Sequence, residues 1–183
     1  MNSTETAIPA DLHPPGDAPA VVKYCLFRSG DSWFAIPAIA VHEIAACPAL
    51  VPVPHSGPAL AGMCHLRSEF NPVIALNPLL RSDEASGVRG DNQLLVIQSS
   101  SVWSLLIAEA AGIVSLETLV TPESRGDDRI QTPVIGTSMF RDHIVHVLDP
   151  GGILRLAQQT LESLWNVAGQ EVAASPTHVR SQG

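Results

Sequence analysis

The chain has 183 residues, 45% of them hydrophobic, and 10 Lys and Arg against 18 Asp and Glu give a formal charge of -8. That length carries one compact domain or two small ones sharing a core, and that apolar fraction excludes wholesale disorder. Lys23 is the only lysine, so there is no basic stripe to hold a phosphate backbone and nucleic acid is not an expected partner.

Residues 1–21, rich in Pro, Ala and Asp, read as an N-terminal tail. They lack a basic n-region and an apolar h-region, and nowhere does an apolar run approach about eighteen residues. A cytoplasmic protein without direct membrane insertion is therefore expected. The folded part is expected over residues 22–165. It opens with "VKYCLF" and "WFAI" flanking the turn "RSGDS", a hairpin pattern. From Pro37 to Ala46 the apolar positions Ile36, Ile39 or Ala40, and Ile44 fall at helical intervals behind a proline suited to a first turn, which predicts a short helix. "PALVPVPHSGP" is too rich in proline for a helix interior or central strand and reads as an extended crossing. "NPVIAL" reads as a strand, and residues 81–92 as a turn-rich linker.

Sliding the sequence on itself by about seventy positions lays "YCLFRSGDSWFAI" on "LLVIQSSSVWSLL", with Trp33 on Trp103, and Pro52 on Pro122. With a small insertion, "GMCHLRSEFNPVIAL" falls on "GTSMFRDHIVHVLD", matching Gly62 to Gly136, Leu66 to Phe140 and Arg67 to Arg141. Two halves thus share one order of elements. The fold class expected is mainly β: two similar β-units, barrels or half-barrels, packed on each other because neither half buries much core alone. After Asp149, "GGILRLAQQTLESLW" spaces Ile153, Leu156, Ala157, Leu161, Leu164 and Trp165 as a C-terminal amphipathic helix. Its stripe reads first as core packing and second as a docking motif. Residues 166–183 read as a second tail.

Signatures of catalysis are missing. There is no G-x-S-x-G elbow, no phosphate loop and no G-x-G-x-x-G. Cys64 and His65 are neighbours in a strand and point to opposite faces, as do the three-apart His143 and His146 of "DHIVHVLD". Cys25, Cys47 and Cys64 make an odd count without C-x-x-C, which reads as buried thiols rather than a disulfide or zinc site. No catalytic residue, metal site or cofactor is assigned. The "RGD" triplets at 89–91 and 125–127 fit polar linkers. What stands out is a pair of isolated charges among apolar residues, Glu43 in "AVHEIAA" and Arg67 in "HLRSEF". Such residues suit an interface or a structural ion pair.

The segments "VHEI" (Val41 to Ile44), "PVPHSGP" (Pro52 to Pro58), "GMCHLRS" (Gly62 to Ser68), "NPVIAL" (Asn71 to Leu76) and "LLIAEAAGIVSL" (Leu105 to Leu116) stand in the order found in CheW-like domains, which this chain resembles over residues 22–165. The resemblance implies two five-stranded SH3-like barrels and no catalytic activity. It implies a non-catalytic adaptor, a scaffold coupling the cytoplasmic tips of methyl-accepting chemoreceptors to the regulatory domain of a CheA-type histidine kinase in chemotaxis-like signal transduction. Its partner-binding residues would be Val41, Glu43, Ile44, Gly62, Leu66 and Arg67, with Glu43 orienting Arg67. The sequence departs from the family pattern at His65, Ser68, Ala75 and Glu109. Those departures leave open an accessory array serving surface sensing, pili or cyclic-di-GMP control. Two further readings are a kinase-sequestering module and a small metal- or ligand-dependent enzyme using Cys64, His65 or His143.

Overall fold

The computed structural model describes residues 22–81, 92–116 and 133–174, with side chains as far as Gly169. The linker at 82–91, both RGD triplets and the Pro122 match fall outside the described residues. In the first half, β1 (Lys23–Ser29) and β2 (Ser32–Pro37) form the expected hairpin, followed by β3 (Val41–Ala46), β4 (Leu60–Leu66), β5 (Glu69–Ala75) and the short helix α1 (Leu76–Leu79). The second half repeats the series as β6 (Gln93–Gln98), β7 (Val102–Ile107), β8 (Glu109–Ser115), β9 (Val134–Phe140), β10 (His143–Leu148) and α2 (Pro150–Ala174).

The expected helix over Pro37 to Ala46 is corrected. Only Ala38–Ala40 form a 3-10 turn, and Val41–Ala46 is a strand whose residues alternate between half-buried and exposed. The reason is long-range pairing: "VHEIAA" has no clean apolar alternation, since Glu43 falls on the half-buried face and Ile44 on the exposed one, and pairing with β6 decides for the strand. The Pro-containing crossing pairs with β4 at Val51, where Val51 and Met63 exchange two backbone hydrogen bonds of 2.8 Å, but it is not extended throughout as expected: it turns at Pro54 and His55, and His55 and Gly57 have φ of 59° and 66°. α2 continues through residues 166–174, which the sequence reading had given to a tail.

The ten strands make two five-stranded sheets, ordered β8-β1-β2-β10-β9 and β3-β6-β7-β5-β4. Each sheet therefore takes its hairpin from one half of the chain and three strands from the other. The repeat is real but interlocked, and neither half closes a sheet alone. β2 and β10 run parallel with Ala35 opposite Val147, while β5 and β7 run parallel with Ser104 opposite Val73. With Arg67 matched to Arg141, Ser104 takes the place of Ala35 and Trp103 that of Phe34. The expected match of Trp33 to Trp103 is thus one residue out, because at equivalent ladder positions Arg28 and Trp33 enclose four residues whereas Gln98 and Val102 enclose three.

This register explains the packing. Cys25, Phe27, Phe34 and Ile36 from one hairpin, and Leu95, Ile97, Trp103 and Leu105 from the other, face a common core that also receives Leu148, Ile153 and Ala157. The opposite faces make two smaller cores, one around Tyr24, Leu26, Ala35, Val145 and Val147, the other around Cys64, Val73, Leu94, Val96 and Leu106. Central strands covered on both faces read as unbroken apolar runs, whereas β3 and β8, at sheet edges, alternate.

Helix α2 starts where Asp149 accepts hydrogen bonds from the N–H groups of Gly151 and Gly152, at 3.2 and 2.7 Å. In the first half Ala75 stands before α1 without a side-chain cap, and that helix lasts one turn.

Candidate functional site

Arg67 and Ser68 are the two residues of the tight turn between Leu66 and Glu69, and both are left-handed, with φ of 49° and 70°. A two-residue hairpin loop prefers this backbone because its twist matches that of the strands. The turn lifts Arg67 out of the apolar strands, which is how a guanidinium comes to sit in such a sequence. Its side chain is 73% exposed, and its Nη2 donates to Glu43 Oε2 at 2.5 Å, where the carboxylate is only 18% exposed.

Glu43 lies on β3 and Arg67 at the end of β4, and these are the two outer strands of one sheet. Their ion pair shows that the sheet curls until its edges meet. A bulge between Val41 and Glu43 lies beside this closure. One carboxylate occupies only part of a five-donor guanidinium, so Arg67 keeps donors directed to solvent. An exposed pair of this kind is worth at most about 1 kcal/mol to stability.

Around the pair the structure separates the expected residues. Ile44 is exposed beside Glu43, whereas Val41 packs against the common core and Leu66 against the smaller core of its own sheet. Gly62 is buried under the crossing segment. Its φ is 147°, and a Cβ there would lie 2.7 Å from the Val51 carbonyl oxygen. Gly62 thus lets the crossing approach β4 and supports the site from beneath.

Sequence reasoning missed Phe70. It is 78% exposed on β5, directly opposite His65, whose ring meets it edge-on at 5.5 Å. No local signal marked it: the period of two puts Phe70 on the face of Ile74, which is buried in the common core, and Phe70 is exposed at the hairpin end of the same strand.

Among the described residues the second half has no equivalent ion pair. Arg141 again occupies a turn with positive φ, but its guanidinium lies over the Phe140 ring at 5.3 Å. Ladder positions place Gly112 where Glu43 stands and Ile113 where Ile44 stands, and space around Gly112 is open. Met139 and Ile144, both exposed, replace His65 and Phe70. The apolar hairpin surface is repeated, and the carboxylate is not.

The residues considered for chemistry are kept apart. Cys64 is buried while its neighbour His65 is exposed. His143 stacks on Trp33 at 5.4 Å and His146 lies against Phe34 at 5.7 Å. Among the described residues no group of three or more His, Cys, Asp or Glu side chains converges as metal ligands would. Burial pushes the thiols of Cys25, Cys47 and Cys64 above their ordinary pKa, and Cys64 raises that of Cys47 further. These are thiols held protonated, unlike activated nucleophiles. Among the described residues no helix is long and apolar enough to cross a membrane.

Two interlocked five-stranded sheets with a C-terminal helix define a mainly β, two-subdomain SH3-like scaffold fold. The sequence profile of the CheW-like domain matches residues 23–158, and the chain belongs to that family. Among solved structures it is similar to the scaffolding protein TtCheW from Thermoanaerobacter tengcongensis, with 15% identity, a TM-score of 0.61, and coverage of 75% of this chain and 90% of that one. No curated protein matches the sequence. Membership of the family places the chain among non-catalytic adaptors of chemotaxis-type signalling, whose general partners are chemoreceptors and CheA.

Proposed function

We propose that this chain couples the cytoplasmic tips of methyl-accepting chemoreceptors to the regulatory domain of a CheA-type histidine kinase in the cytoplasm. Its contact surface is formed by β3 and the β4–β5 hairpin. The observation that carries this reading is the Arg67–Glu43 pair: a guanidinium held by one carboxylate, open to solvent, with Phe70 and Ile44 exposed on the same two elements. Arg67 supplies directional donors, and the apolar side chains exclude water from the contact. In this reading Ile44, Glu43 and Arg67 touch the partner, Phe70 joins them, and Val41, Gly62 and Leu66 hold the strands that present them.

Calorimetric titration with the regulatory domain of the cognate kinase, and separately with a receptor-tip fragment, tests the assignment. Arg67→Ala weakens binding to at least one of them by about tenfold or more, equivalent to about 1.4 kcal/mol, while the melting temperature hardly moves. Unchanged affinity for both partners in Arg67→Ala and in Phe70→Ser removes this surface from the function.

A further inference from the structure

The inside of the β3-β6-β7-β5-β4 sheet is not wholly apolar. Asn71 on β5 and Ser104 on β7 are 3% and 0% exposed, and neither Asn71 Oδ1 nor Ser104 Oγ has a hydrogen-bond partner among the described residues. Ser104 lies between Val73 and Val96, its direct neighbours on β5 and β6, both of which belong to the smaller core. Asn71 is two residues before Val73 on the same strand, so it shares that face, and Cys64 stands directly opposite it on β4. The pattern belongs to this sheet alone. At the matching positions of the other sheet stand Val145 and Ala35, with Ser138 in the place of Cys64.

Two bare oxygens in one apolar interior are a costly arrangement that native cores resolve with a partner. Diagonal neighbours in a sheet have Cα atoms on the order of 7–8 Å apart, which leaves their polar tips too far for one direct bond and suited to a bridge. We propose that Asn71, Ser104 and Cys64 hold one internal water molecule inside this subdomain. The water donates to Asn71 Oδ1 and accepts from the Ser104 hydroxyl and, weakly, from the Cys64 S–H, within the two to four partners an internal water needs. Burial keeps the Cys64 thiol protonated and so able to donate. The water ties β5 to β7 beneath the hairpin that carries Arg67 and Phe70.

The test uses the full chain. Water-to-protein NMR cross-peaks at the Asn71 side-chain amide and the Ser104 backbone amide, with the sign of a long-lived water, are expected; their absence overturns the proposal. Ser104→Ala and Asn71→Val each lower the melting temperature by about 2–4 °C, because each removes one of the water's three partners and weakens its hold on the remaining oxygen. The double variant, apolar like the other sheet, recovers at least half of the summed loss. Single variants that each raise the melting temperature, or losses that simply add, overturn the proposal.

Discussion

Gly62→Ala tests how the crossing segment is held against β4. The glycine has φ of 147°, which an L side chain adopts at a cost of about 1–3 kcal/mol. Its ideal Cβ would also lie 2.7 Å from the Val51 carbonyl oxygen and 3.3 Å from the Leu50 Cβ, both on the crossing. Backbone cannot swing aside as a side-chain tip does, so overpacking adds about 1–3 kcal/mol. The sum, about 4 kcal/mol at mid-range, lowers the melting temperature by roughly 8–16 °C for a chain of this size. Gly112→Ala is the control: φ there is 126°, but an added Cβ meets nothing within 4 Å, so only the backbone cost applies. Thermal and urea unfolding of both variants isolates the clash as the excess of Gly62→Ala over Gly112→Ala, at an unchanged denaturant slope. An excess of zero, or one of opposite sign, refutes the claim that close approach of Val51 is what requires glycine at 62.

Ser68→Gly relieves a left-handed residue in the β4–β5 turn and raises stability by about 0.5–1 kcal/mol, read as a small rise in melting temperature. Asp149→Ala removes the acceptor for the first N–H groups of α2 and costs about 1 kcal/mol, with a loss of helical signal in far-UV circular dichroism. The folded state holds the thiols of Cys25, Cys47 and Cys64 above their ordinary pKa, so between the unfolded and folded values it binds more protons than the unfolded chain. Their contribution to stability is complete below the unfolded thiol pKa and is lost as pH rises through the folded values. Urea midpoints measured upward from neutral pH therefore fall in the alkaline range, and replacing the three cysteines by Ser or Ala flattens that fall.

Much of the architecture was legible because it rests on local chemistry. The β1–β2 and β6–β7 hairpins were marked by apolar runs on either side of short polar turns, and α2 by a stripe at helical spacing. The internal repeat was visible because both halves keep a glycine five residues before an arginine. Two errors have one source. Residues 41–46 show no clean alternation that marks a strand, and Trp33 attracted the alignment to Trp103 by residue type although the second turn is a residue shorter than the first. In each case pairing partners far along the chain decided, and no local pattern carries their register.

The same division holds for the site. Glu43 and Arg67 were recognisable as charges out of place in apolar strands, and their kinship to CheW-like domains lay in the order of short motifs. Only the tertiary structure joins them, by curling one sheet until β3 meets the end of β4. Only it shows Phe70 exposed on the hairpin that carries Arg67, and sets Arg141 over the Phe140 ring. Composition and periodicity determine which segments become strands and which face each buries, because those depend on neighbours in sequence. Which hairpin completes which sheet depends on burying one common core between the two halves, a free energy that no segment has until all of them are assembled.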